Sequence, residues 1–175
     1  MSLFNIYKRI EKELLLGVSR AEIFEKYSAK TPPDTPKFAY MLASIPYPEL
    51  RQKYLKLNAC LFLLLLCLPV LTVMAEWPID FRESTLFIAI KTLVPLLLAY
   101  FVFHFHGGIY RLLGLWCLID LLESLLLLNF TSEAGLAKAV LLFLIVVISF
   151  FLSRKVFSNL KFLGPRQDSQ GRYLF

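Results

Sequence analysis

The chain has 175 residues, of which 58% are hydrophobic and only 18% are charged, and its formal net charge is +6. Soluble domains are about half apolar and about a quarter charged, so the composition argues against an ordinary soluble protein. Four long apolar runs instead indicate an all-α, polytopic membrane protein.

The charges are concentrated at the two ends of the chain. Residues 1–57 contain ten Lys and Arg against six Asp and Glu, residues 154–175 contain five against one, and the middle contains four against six. Basic ends around an apolar middle are typical of a membrane protein whose ends face the anionic cytoplasmic leaflet. We therefore predict a cytoplasmic cap and stalk (1–57), a transmembrane domain (58–153) and a basic cytoplasmic tail (154–175).

The cap is predicted to be a small helical unit. Apolar residues recur at helical spacing over residues 3–15, and Ser19 with Glu22 forms a capping box that opens a second helix. A third helix is expected over 37–45. From Glu49 the chain is expected to be helical again and to run straight into the first apolar span.

The stretch from Glu11 to Tyr27 is similar to the opening of a helix-turn-helix, which would make the protein a membrane-anchored regulator that reads DNA. A recognition helix needs polar and basic side chains after a turn of three or four residues. Here the turn runs over 28–35, and the next helix offers Lys37 as its only basic residue. We therefore expect the cap to bind a cytoplasmic protein or to self-associate, and nucleic acid is not an expected partner.

The apolar runs predict four transmembrane helices, because each reaches or approaches the ~20 residues that cross a bilayer. They cover residues 57–75, 86–105, 110–128 and 137–152. The fourth is short, and Lys138 is expected to snorkel outward at its start.

Orientation follows from the connecting loops. Loop 76–85 carries three acids and one base, loop 129–136 carries one acid and no base, and both termini are basic. The positive-inside rule then places both termini in the cytoplasm, and we expect a bacterial inner membrane.

Three charged residues fall inside the predicted spans. Lys91 lies about five residues, or ~7 Å, below the outer end of the second span. Glu123 lies at nearly the same depth in the third span, and Asp120 lies one turn deeper on the same face. A short turn makes these helices antiparallel neighbours, so Lys91 is predicted to bridge Glu123. Charged groups at this depth must face protein or water.

Two interpretations of this cluster stay open. It is either a structural ion pair, with the remaining carboxyl hydrogen-bonded to Thr92, Ser124 or a backbone carbonyl, or a polar path that conducts or senses a cation or proton. Two acids against one base leave an unbalanced charge, which a subunit interface would satisfy most easily. A homo-oligomer is therefore expected.

Catalytic and metal-binding motifs are not found. His104 and His106 are two residues apart, so on a helix their side chains point about 200° from each other, and we expect two interfacial imidazoles rather than a shared metal. The three cysteines lie in apolar runs without metal-ligand spacing. We expect no enzyme activity and no cofactor.

These features predict a non-enzymatic, oligomeric integral membrane protein, a scaffold or sensor whose cap binds a partner or a second copy. The tail is expected to be an extended segment that is either disordered alone or docked on a neighbour. The alternative is a small cation or proton channel, or pore-forming effector, lined by Asp120 and Glu123. A DNA-reading membrane regulator is the weaker third hypothesis.

Overall fold

A computed structural model describes residues 3–28, 35–75, 85–126, 132–161, 164–170 and 172–174. Within these ranges the all-α class is confirmed, with eight helices and one pair of two-residue strands. The elements are α1 (Leu3–Leu15), α2 (Arg20–Ser28), α3 (Thr35–Ser44), α4 (Pro48–Lys53), α5 (Leu55–Ala75), α6 (Thr85–Phe103), α7 (Ile109–Leu126), α8 (Glu133–Val156), β1 (Leu160–Lys161) and β2 (Gly164–Pro165).

Helices α5 to α8 form a four-helix bundle. Helix α5 packs against α6 and α8, α8 also packs against α7, and the contact between α6 and α7 is the smallest of those between adjacent helices. Each helix contributes buried, mostly apolar side chains at spacings of three and four residues, which places one stripe of each in a shared core. The fully buried members of that core include Leu61, Leu65, Leu113, Leu142 and Ile145.

Two helices of this bundle, α5 and α8, are long and apolar enough to cross a membrane. The apolar part of α6 is shorter, over Ile88–Phe103. Helix α7 has 18 residues and carries three charged side chains, Arg111, Asp120 and Glu123. The acidic loop 76–84 and the last residues of the third predicted span lie outside the described residues.

Helix α8 is longer than its apolar run predicts. Ser132 is its N-cap and accepts a hydrogen bond from the Gly135 amide at 3.0 Å, so the helix begins at Glu133 rather than at residue 137. It continues to Val156, with Arg154 and Lys155 in its last turn.

The cap has a core of its own between α1, α2 and α3. Its buried residues are Ile10, Leu14, Ile23, Phe38, Leu42 and Ile45. Arg20 is buried beside this core, where its guanidinium donates to the Ile45 carbonyl and lies 3.9 Å from the centre of the Tyr47 ring. Burial lowers the pKa of Arg20. The helix from Glu49 does not run straight into α5, because the backbone leaves helical geometry at Tyr54 (φ −102°, ψ 10°).

A short turn at residues 104–108 holds the bundle against the cap. Phe105 adopts a positive φ of 56°, which ends α6 sharply and buries its ring. The Gly107 amide donates to the Ser44 carbonyl of α3 at 3.1 Å. A side chain at Gly107 would collide with the buried Phe157 ring, so this position needs glycine for close packing, whereas one at Gly108 would meet only the far end of the exposed Tyr40 side chain.

The tail folds back onto the cap. Strands β1 and β2 are antiparallel, with Leu160 opposite Pro165, and both pack against α3. An isolated bridge joins Gln167 to Tyr173, whose ring lies 5.6 Å from the Phe24 ring of α2. The neighbour on which the tail docks is therefore its own cap, and both ends of the chain lie at the same end of the bundle.

Candidate functional site: a buried ion network

The charged side chains of the bundle meet in one network that joins three helices. Lys91 Nζ of α6 lies 3.0 Å from Glu123 Oε1 and 3.5 Å from Asp120 Oδ1, both of α7. Lys138 Nζ of α8 lies 3.3 Å from the same Asp120 oxygen. One carboxylate is thus shared by two ammonium groups. Below, these four residues are called the ion network.

Most of the network is removed from solvent. The side chains of Lys91, Asp120 and Lys138 are 5–8% exposed, whereas that of Glu123 is 32% exposed. Isolated charges at such positions would cost several kcal/mol each, so each must be matched by an opposite charge. Two lysines and two acids give that match, and the network carries no net formal charge.

Lys138 does not snorkel outward as the sequence predicted. Because α8 begins at Glu133, Lys138 lies in the second turn of the helix rather than at its end, on the buried face. Its ammonium group therefore reaches Asp120 inside the bundle. The expected excess of one acid is removed by this second lysine.

Thr92 and Ser124 do not contact the carboxylates through their hydroxyls. Thr92 Oγ1 donates to the Ile88 and Ala89 carbonyls at 2.9 and 3.0 Å. Ser124 Oγ donates to the Asp120 backbone carbonyl at 2.8 Å. Both hydroxyls satisfy their own helix, as Ser and Thr commonly do in apolar helices.

The two histidines lie at the opposite end of the bundle, in the turn against the cap. His104 is exposed and its ring lies 4.7 Å from the Tyr100 ring. His106 is half-buried beside Phe101, and burial lowers the pKa of its imidazole. Among the described residues, no three His, Cys, Asp or Glu side chains gather into a group that could hold a metal ion.

A second polar network, which the sequence analysis missed, lies near the cap. Tyr110 donates its hydroxyl hydrogen to Asn58 Oδ1 at 2.6 Å, and Asn58 Nδ2 donates to the Val102 carbonyl at 2.9 Å. This buried chain links α5, α6 and α7. A lone asparagine in an otherwise apolar run was the available signal, because a buried amide needs partners.

Arg111 ties the bundle to the tail. Its Nε donates to Ser153 Oγ of α8 at 2.8 Å, and its terminal nitrogen donates to the Leu160 carbonyl of β1. The guanidinium therefore turns inward, toward the protein, at the end of α7 that faces the cap.

The cap carries two grooves that share Leu14, Leu15 and Pro48. One, of about 340 Å³, extends over Arg51 and Leu55 to His104. The other, of about 550 Å³, extends over Gly17, Val18 and Tyr47. Leu15 and the adjacent Leu16 are 65% and 81% exposed. Two exposed leucines beside open grooves form the apolar edge of the cap, which we call the leucine edge.

Comparison with known proteins identifies no relative: no family model, no curated protein and no solved structure matches this chain.

Proposed function

We propose that this protein is a non-enzymatic integral membrane scaffold with four transmembrane helices, which assembles into a homo-oligomer through its cytoplasmic cap. The observation that carries the membrane assignment is the outer surface of the bundle. Large apolar side chains are exposed along all four helices, far beyond the patch that a soluble monomer leaves to water. They include Leu63, Val70, Leu93, Leu97, Ile119, Leu122, Phe143 and Val147.

Four crossings are supported by the path of the chain. It enters the bundle at Leu55 beside the cap and leaves it at Val156 beside the tail, and the tail packs on the cap. An even number of crossings returns the chain to the side from which it started. Because α5 and α8 are each long enough to span, α6 and α7 would complete two further crossings.

The cap would lie in the cytoplasm of a bacterial cell, at the inner membrane. Four basic residues, Lys53, Lys56, Arg154 and Lys155, stand at the cap end of the bundle, as the positive-inside rule requires. The test uses reporter fusions after Phe175 and within loop 76–85. The two reporters are expected to lie on opposite sides of the membrane. If both lie on the same side, the topology is refuted.

The ion network favours a structural role over the alternative of a cation or proton channel. A cation path needs carboxylates with unbalanced charge, and both acids here have ammonium partners within 3.5 Å. We expect liposomes that contain the purified protein to be no more permeable to protons or K⁺ than empty liposomes. Permeability that disappears in D120N and E123Q variants would instead support the channel.

Self-association through the leucine edge is the docking function proposed for the cap. Exposed leucines next to grooves lined by apolar residues suit a symmetric contact, in which the leucines of each copy enter a groove of the other. The DNA-binding alternative is weakened by α3, whose Phe38, Ala39, Leu42 and Ala43 are buried and which is covered further by the tail.

The docking proposal is tested by disulfide crosslinking in membranes, with Cys60, Cys67 and Cys117 replaced by alanine. Leu16→Cys should form a dimer of the chain on oxidation. The control, Glu25→Cys at an exposed position of α2, should not. In the background with native residues, L15Q/L16Q should reduce the oligomer measured by light scattering, whereas K12Q/E25Q should leave it unchanged.

Two results would contradict self-association. One is a monomeric wild-type protein in several mild detergents. The other is a Leu16→Cys adduct with a different protein, which would assign the leucine edge to a cytoplasmic partner instead.

A further inference from the structure

Basic side chains gather at the cap end of the seam between α5 and α8. Lys53 and Lys56 stand on either side of the start of α5, and Arg154 and Lys155 lie in the last turn of α8. All four are exposed. Because α5 and α8 pack against each other, the four charges lie at one level of the bundle.

An aromatic pair fixes the geometry of this seam. The Tyr54 ring meets the Phe151 ring edge-on, with 6.0 Å between their centres. Lys53 Nζ lies 5.7 Å from the centre of the Tyr54 ring. Lys155 is one helical turn beyond Phe151 and shares its face, so it also points toward α5. The two lysines thus flank one aromatic pair from two helices.

Acidic partners do not neutralise this cluster. In the described part of the chain, none of these four cations forms an ion pair, although Glu49 lies only four residues before Lys53. Arg154 is also close enough to Arg111 for their charges to repel. Four cations without counter-charges beside an apolar seam complement an anion.

The cap-facing ends of α6 and α7 do not present basic side chains outward in this way. Helix α6 ends in the turn with the two histidines, and Arg111 at the start of α7 points inward to Ser153 and the Leu160 carbonyl. The outward-facing basic charge is therefore on the α5–α8 side of the bundle rather than spread evenly around it. A general attraction to the cytoplasmic leaflet does not require this asymmetry.

We propose that the α5–α8 seam binds the phosphate headgroup of an anionic membrane phospholipid between Lys53 and Lys155. The phosphate accepts hydrogen bonds from these two ammonium groups, and Arg154 and Lys56, which stand beside the seam, add to the positive field. The acyl chains follow the apolar surfaces of α5 and α8 below the Tyr54–Phe151 pair. Basic clusters between transmembrane helices at the cytoplasmic side are suited to such headgroups. The inference rests on the membrane embedding proposed above.

Native mass spectrometry of the full chain in detergent tests the site, with phosphatidylglycerol and phosphatidylcholine as probes. The wild-type protein should retain one phosphatidylglycerol in preference to phosphatidylcholine. Each neutralised lysine should weaken that preference about fivefold, which is typical of one cation near an anionic surface. The matched control is K12Q/K161Q, which removes the same charge from exposed positions of the cap and tail and should keep the preference.

Two outcomes would overturn the lipid site. One is a K53Q/K155Q variant with undiminished preference for phosphatidylglycerol, or an equal loss in the control. The other is displacement of the lipid by soluble glycerol phosphate, which would show that the cluster binds phosphate without the membrane. Extraction of the wild-type protein from membranes by alkaline carbonate would refute the embedding, and the lipid site with it. If the protein stays in carbonate-washed membranes but shows no preference for phosphatidylglycerol, the lipid site alone is refuted.

Discussion

Lys138 of α8 lies 3.3 Å from Asp120 of α7, and the same Asp120 oxygen lies 3.5 Å from Lys91 of α6. One carboxylate therefore connects three helices. The connection matters because α6 and α7 contact each other less than the other neighbouring pairs do, so the charges bridge the loosest side of the bundle. A shift of any one of these helices by a turn would separate an ammonium group from its acid.

Removal of the central carboxylate should destabilise the bundle. D120N removes the carboxylate that lies within 3.5 Å of both Lys91 and Lys138, and loss of one member of a buried pair costs about 3–5 kcal/mol. The measurement is reversible unfolding of the purified protein in detergent micelles. The control is E133Q, which neutralises an exposed acid in the first turn of α8 and should change stability by less than about 1 kcal/mol.

A double variant separates charge pairing from simple loss of a side chain. D120L/K138M removes an acid and a base together, so the net formal charge is unchanged and Lys91 keeps Glu123. Replacement of a buried pair by apolar residues is often neutral or stabilising. We therefore expect D120L/K138M to be more stable than D120N. A double variant less stable than D120N would show that the pair is needed for more than charge balance.

The Tyr110–Asn58 hydrogen bond is expected to stabilise the cap end of the bundle. Y110F leaves a buried amide oxygen unsatisfied, which costs about 1–3 kcal/mol. Y110F and N58L should be less than additive when combined, because both break the same contact. A double-mutant cycle on the unfolding free energy measures this coupling. Strict additivity would mean that the two side chains act independently.

Close packing around the turn should make Gly107 intolerant of a side chain. A Cβ at Gly107 would overlap the buried Phe157 ring, so G107A is expected to cost about 1–3 kcal/mol and to speed proteolysis between cap and bundle. G108A is expected to cost less, because the exposed Tyr40 side chain that its Cβ would meet can move aside. Gly164 is the control, because a Cβ there meets no atom within 4 Å and G164A should be nearly neutral.

Acidification should loosen the tail. The Arg172 backbone amide, assisted by the Arg172 side chain and the Gln170 amide, keeps the pKa of Asp168 below its usual value. A lowered pKa stabilises the folded form above the unfolded value of about 4, and this contribution disappears as the pH falls through the lower folded value. Energy transfer between dyes at Glu25→Cys and Gln170→Cys, in the background without native cysteines, should fall below about pH 4.

The D168N variant is the control for that experiment. Its tail should dock more weakly at neutral pH and should lose the acid-dependent step. A pH profile identical to that of the wild-type protein would show that another group titrates.

Local signals in the sequence were sufficient to predict the positions of most helices. Ser19 and Glu22 form the predicted capping box, with hydrogen bonds of 3.1 and 3.3 Å in the two directions. The apolar runs likewise predicted α5 and α8, although the fourth run predicts a start at residue 137 and α8 begins at Glu133. Ser132 carried the missing signal, because an N-cap serine defines a helix start better than the first apolar residue does.

Long-range contacts could not be predicted in the same way. The partner of Asp120 depends on which face of α8 turns inward, and a helix apolar on all sides gives no such preference. The tail strands have two residues each, too few for any alternation to appear, and they are defined by their contact with α3. Arg20 is buried because Ile45 and Tyr47, which lie 25 and more residues later, supply its partners.

The Tyr173–Phe24 contact joins a segment that is synthesised before the bundle to one that is synthesised after it. The cap helices emerge early, yet their final packing must wait for the turn at Gly107 and then for strands β1 and β2. Maturation of the cap is thus a late event that reports completed synthesis of the bundle. Truncated or stalled products would expose Phe24 and α3, surfaces that quality-control proteases recognise.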